Sequence, residues 1–184
     1  DRKSYRHWID EDRDCQNARH EVVIEESLST VGFKTSKGCR VVSGSWNDPY
    51  SGRTITDASK LDIDHMVPLK EAHESGGHAW DVYRKREYAN DLSEPNTLIA
   101  VDRGLNRQKG AGDPAEWLPP NQTYHEEYAS AWVAVKLKWG LTADAAEIAV
   151  LREILGAEAE LPIMDEEGNP SINPFSAKLP VPEV

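Results

Sequence analysis

Asp64 and His65 stand side by side in the run Asp62-Ile63-Asp64-His65-Met66-Val67-Pro68. A carboxylate is a hard oxygen ligand for a cation such as Mg²⁺, and an imidazole accepts a proton near neutral pH. Phosphodiester hydrolysis needs both. It requires an activated water, a cation to carry charge on the phosphate and the leaving oxygen, and groups that hold these in line. Farther on, Asn96 opens the apolar run Thr97 to Val101, and Leu105-Asn106-Arg107-Gln108-Lys109-Gly110 sets an amide oxygen beside two cations. An acid, a base, two amides and two cations therefore lie within one stretch of chain.

Two short strands are needed to bring them together. Leu61-Asp62-Ile63-Asp64 alternates apolar and polar, the period of a half-buried strand, and Pro68 limits its length. An ideal strand would point Asp64 and His65 to opposite faces, so the strand has to end or twist there for both to reach one phosphate. Thr97 to Val101 is a return strand, and Asn106 opens a loop or helix start. Between them, Glu71 to Asn90 reads as helix broken near Ser75-Gly76-Gly77.

Before the first strand, Ser4 to Thr30 carries a helix-like stretch anchored by Val22, Val23 and Ile24. Cys39 to Trp46 and Thr54 to Thr56 read as a hairpin across Asn47-Asp48-Pro49 and Ser51-Gly52. After the second strand, Tyr124, Tyr128, Trp132, Val135 and Trp139 mark an amphipathic helix closed by Gly140. Thr142 is the expected N-cap of a last helix running to about Leu155.

DIDHMVPL, NTLIAV and LNRQKG, in that order, resemble the ββα-metal (His-Me) finger of HNH endonucleases. The resemblance implies His65 as general base, Asp64 and Asn106 as metal ligands, and Asn96 as the residue orienting His65. Asp62 would assist, and the products would carry 5′-phosphates. The segment between Pro68 and Asn96 is longer than in a minimal finger, which makes Asn90 a competitor for the role of Asn96. WIDEDRDCQNARHEV, YANDL and GAGDPAEWLPP extend the likeness to a bacterial HNH family over most of residues 4 to 155. That likeness adds Arg19 to the site. Members are often exported, which implies a disulfide between Cys15 and Cys39 and a secreted or periplasmic location, with the cytoplasm as alternative.

Other patterns weigh less. The cysteines by themselves are compatible with one disulfide or with two free thiols. Arg107 and Lys109 are candidate phosphate contacts, as are Arg84 and Arg86 of the triplet Arg84-Lys85-Arg86, although such a triplet is more often a solvated helix face. Asp10, Asp12, Asp14 and Glu21 take positions 1, 3, 5 and 12 of a calcium loop, but Cys15 replaces the glycine of its sharp turn, so a solvated acidic loop is expected. His73-Glu74 has no histidine at 77 to complete a zinc-hydrolase motif. His7, His20 and His125 read as packing or surface residues, and Trp8, Trp46, Trp80, Trp117, Trp132 and Trp139 could stack bases where exposed, although core packing is the expectation for most of them.

The chain of 184 residues has 39% hydrophobic and 29% charged residues and no run that could span a bilayer, so membrane insertion is not expected. Its net charge of −11 argues against a passive DNA-binding module and weighs against a nuclease without excluding one, since a hydrolase gripping few phosphates through a local patch and a divalent metal tolerates an acidic remainder. The chain begins at Asp1 without a signal-type segment, as a processed secreted form or an excised piece would. The expected architecture is α+β, one finger in a mainly helical single domain over residues 1–160, with its core at 54–118 and an extended tail at 161–184. The expected activity is DNA hydrolysis of low sequence specificity with Mg²⁺, Mn²⁺ or another divalent cation. RNA stays open as a substrate, no obligate protein partner is evident, and the alternative is a catalytically silent nucleic-acid-binding or interaction domain.

Overall fold

Turn chemistry and strand alternation set the frame, which a computed structural model describes for residues 2–156 and for a strand pair, Ile163–Met164 against Pro170–Ser171. In chain order the elements are α1 (Ala18–Glu25), β1 (Gly32–Phe33), β2 (Val41–Asp48), β3 (Arg53–Asp57), β4 (Leu61–His65), α2 (Leu69–Glu74), α3 (Val82–Ala89), β5 (Leu98–Asp102), α4 (Arg103–Lys109), α5 (His125–Trp139) and α6 (Ala145–Leu155). The class is α+β with small antiparallel sheets. No helix among the described residues is long and apolar enough to cross a membrane. Apart from that strand pair, the tail lies outside the described residues.

The hairpin forms where expected. β2 pairs with β3 with Trp46 opposite Ile55 and Asp48 opposite Arg53, and β1 adds a third strand. Asp48 makes the turn: its carboxylate accepts from the Tyr50 and Ser51 amides and the Ser51 hydroxyl, and Gly52 supplies the positive φ of 70°. The same carboxylate accepts from the Asp102 amide at 3.0 Å, tying the turn to the end of β5.

β4 and β5 pair antiparallel from Leu61 opposite Asp102 to His65 opposite Leu98. Their alternation divides the core in two. Leu61, Ile63, Leu98 and Ala100 pack with Val22, Val23, Val41 and Trp46. Ile99 and Val101 face Tyr50, Tyr88, Tyr128, Trp132, Val135 and Leu151 on the helical side.

The helices pack as their stripes dictate. α5 buries Tyr128, Trp132 and Val135 and ends at Gly140, with φ of 66°. α6 is capped by Asp144, which accepts from the Ala146 and Glu147 amides at 2.8 and 2.9 Å. Thr142 is not the cap: two residues upstream, it donates its hydroxyl to the Ser75 carbonyl. Lys136, wholly buried, joins α5 to α2 and α6 through Glu71 at 2.8 Å and Glu147 at 2.7 Å. Cys15 and Cys39 form a disulfide, which excludes the free-thiol alternative and fastens the N-terminal loop to the start of β2.

Candidate active site

Asp64 and His65 are the last two residues of β4, and both line one cavity of about 800 Å³. Asp64 is buried, and two donors hold one of its oxygens: the Tyr50 hydroxyl donates to Oδ2 at 2.5 Å, and the Lys109 ammonium donates to the same atom. Lys109 has no exposed side-chain surface and also donates to the carbonyls of Met66 at 2.7 Å and His65 at 3.1 Å. The rings of Tyr50, Tyr128 and Trp132 surround its ammonium at 5.8, 5.7 and 5.6 Å. Burial dominates both ends of the pair. It pushes the Asp64 carboxyl up against the pull of Lys109, and it pushes the Lys109 ammonium down against the pull of Asp64. Both protein bonds fall on Oδ2, which leaves Oδ1 as the atom Asp64 offers the cavity.

His65 is held from behind. Its Nε2 lies 3.1 Å from the Ala89 carbonyl at the end of α3, and an N–H there assigns the lone pair to Nδ1. Its ring stacks on Tyr88 at 6.2 Å and meets Trp8 at 5.5 Å. Tyr88 in turn donates to the carbonyl of Val67, just beyond β4. The long segment between the strands therefore supplies the wall and the acceptor that fix the imidazole.

Asn106 reaches the cavity from the middle of α4, a helix whose start is fixed by Asp102 accepting from Gly104 at 2.8 Å and Leu105 at 3.0 Å. Asp62 lines the same space and lies 3.8 Å from both Arg19 and Arg107. Arg19 also donates to the Leu61 carbonyl at 3.0 Å, so it braces β4 beside the site. Arg107 is 72% exposed at the rim. One carboxylate oxygen and one amide on a shared cavity suit a hard divalent cation, and the buried ammonium keeps the carboxylate in place; the residues fit such an ion.

Other expected residues lie elsewhere. Asn96 sits half-buried in the turn before β5, and among the described residues its side chain makes no hydrogen bond to His65. Asn90 is occupied in tying the N-terminal segment to α3: it accepts from the Ile9 amide and donates to the carbonyls of Arg6 and Arg86. Arg84 lies over Trp80 and Trp139 and donates to the Trp139 carbonyl. Arg86 pairs with Glu11 beside a separate cavity of about 600 Å³. Lys109, expected at a phosphate, is instead inside the core.

Several residues that line the site were not assigned to it from the sequence. Trp8, Lys70 and His73 line the cavity, and Tyr50 reaches Asp64 from the β2–β3 turn. Trp8 also holds a left-handed backbone with φ of 58°, a conformation that costs a bulky residue about 1–3 kcal/mol. Away from the cavity, the carboxylates of Asp10, Asp12 and Asp14 lie within 4.8 Å of one another, and Cys15 itself takes the positive φ, 76°, that a glycine would have supplied.

Comparison with known proteins adds a second line of observation. Residues 19–154 match the family described as GmrSD restriction endonucleases, C-terminal domain. The chain is also 38% identical over 154 residues to an uncharacterised secreted protein of Arthroderma benhamiae, a span of 84% of this chain and 73% of that protein. No solved structure matches it.

Proposed function

Because the chain belongs to the family of GmrSD restriction endonuclease C-terminal domains, we propose that it is a metal-dependent endonuclease of the HNH type that hydrolyses DNA with low sequence specificity. One observation carries this reading: the Asp64 Oδ1 side, His65 and Asn106 converge on one cavity, while Oδ2 is held by Tyr50 and Lys109. The strand pair β4–β5 followed by α4 acts as the ββα finger, with the α2–α3 segment inserted between its strands.

In this reading Asp64 Oδ1 and the Asn106 amide oxygen hold Mg²⁺ or a similar ion. When bound, the cation supplies positive charge to the phosphate and to the departing oxygen. His65, with Nε2–H donating to Ala89, accepts the proton of the attacking water at Nδ1. Arg107 at the rim holds a neighbouring phosphate, and Arg19 keeps β4 and Asp62 in place. The disulfide and the secreted relative support a secreted or periplasmic place of action.

Plasmid cleavage by His65→Ala tests the assignment. Loss of a general base lowers the rate by about 10²–10⁴-fold, EDTA abolishes wild-type cleavage, and Mg²⁺ or Mn²⁺ restores it. Equal cleavage by the variant, or activity persisting in EDTA, sinks the mechanism. A fold that binds DNA without cutting it under any of these conditions is the silent binding domain instead.

A further inference from the structure

We propose that Trp8 is the platform on which a base beside the scissile phosphate stacks, so that the preferred substrate is DNA unpaired at the point of cleavage. This rests on the nuclease reading of the same cavity. Trp8 is half-exposed and shares that cavity with His65, Asn106 and Arg107. Its ring centroid lies 5.5 Å from that of His65, with the planes tilted by 38°. A phosphate presented to His65 therefore places its own nucleotide within reach of the indole.

The surroundings hold Trp8 in this position. Its backbone has φ of 58°, and the residues on either side are tied down: His7 Nδ1 lies 2.9 Å from the Tyr5 carbonyl, and the Ile9 amide donates to Asn90 Oδ1 at 2.9 Å. Trp46, Trp132 and Trp139 each give their indole N–H to a protein acceptor. Among the described residues the indole N–H of Trp8, like those of Trp80 and Trp117, has no such acceptor, and of these three only Trp8 lines the cavity that holds His65.

An aromatic face accepts any base, since every base has a π-face, so this contact confers little sequence preference. A base inside a duplex is already stacked between its neighbours. To lie on Trp8 it must leave them, and that is least costly where it is unpaired or mismatched.

The test uses wild type, Trp8→Phe, which keeps an aromatic face, and Trp8→Leu, which keeps only apolar volume. Each is given a single-stranded oligonucleotide, its fully paired duplex, and a strand carrying one abasic nucleotide at successive positions around the cut. Wild type and Trp8→Phe should cut the single strand in preference to the duplex and show a roughly tenfold higher KM when the abasic nucleotide flanks the cut. Trp8→Leu should show that KM on the intact strand already, lose nothing further at the abasic position, and lose the preference for single strand. An independent readout needs no variant: 2-aminopurine at that position should be quenched when wild type binds the strand in EDTA. Equal abasic penalties in wild type and Trp8→Leu, or no quenching, overturn the inference and leave the nuclease reading standing. Failure of wild type to cut any DNA overturns both.

Discussion

Lys109, the last residue of α4, gives its ammonium to Oδ2 of Asp64, the penultimate residue of β4, with 0% and 6% of the two side chains exposed. The pair joins the helix to the strand beside the cavity that Asp64, His65 and Asn106 line. It is a positioning contact, because the ammonium has no exposed surface and donates to Asp64 and to the carbonyls of His65 and Met66 inside the core.

Lys109→Met should therefore act first on stability, since a buried carboxylate left without its cation costs about 3–5 kcal/mol. Adding Asp64→Asn should return most of that loss without restoring cleavage. Urea unfolding of the single and double variants checks this, and a double variant no more stable than the single would contradict it.

Arg107 and Arg84 should separate cleanly. Arg107→Ala, at the cavity rim, should raise KM for DNA and make the slope of log affinity against log salt shallower by about one. Arg84→Ala should leave KM and slope unchanged and lower the melting temperature, because Arg84 packs at 5.3 Å from Trp80 and 5.6 Å from Trp139.

Opening the Cys15–Cys39 bond should cost about 3 kcal/mol on the chain-entropy account. Thermal unfolding of the Cys15→Ser, Cys39→Ser double variant, and of wild type with and without reductant, reads this directly. Equal stability with and without reductant would show that the N-terminal loop is held by its hydrogen bonds alone.

Glu26 gives a pH dependence with a definite sign. Burial raises its pKa from 4.5 to about 7, against the Ala100 amide that donates to it at 2.9 Å. The folded state then binds a proton that the unfolded state has released, so this group's contribution is full below pH 4.5 and is lost as pH rises to about 7. Glu26→Gln keeps an acceptor for Ala100 and removes the ionisation. The variant should be more stable than wild type at pH 8 by about 2 kcal/mol, with a flatter stability profile from pH 5 to 7 in denaturant titrations.

Much of the frame was legible because local rules dictate it. Period-two alternation marked β4, the Asp48–Gly52 turn marked the hairpin, and helical spacing marked α5. Asp64, His65 and Asn106 were legible as types in a fixed order. The role of Lys109 was not, because charge is written in the sequence and burial is not. On α4, positions 107 and 109 cannot share a face, so the arginine that meets solvent leaves the lysine turned inward. The places of Arg84 and Arg86, away from the cavity, were not legible for the same reason: their partners, Trp139 and Glu11, are distant in sequence. Tyr50 and the Ala89 carbonyl enter the site only through tertiary contacts that no local pattern records. Thr142 lost the cap to Asp144 because the chain runs on to the Ser75 carbonyl before the helix turns.

The pairing of His65 with Leu98 closes over residues 66–97, which contain both α2 and α3. A hairpin with a tight turn could zip up as the chain emerges, but this one cannot, since loop-closure entropy has to be met before the pairing returns anything. The imidazole, its carbonyl acceptor at Ala89, and Asn106 thus come into register only late, when the inserted helices are docked and β5 has arrived. On the proposed reading, a chain threaded unfolded through an export channel would carry every catalytic residue and no catalyst, and the nuclease would exist only once folding is complete.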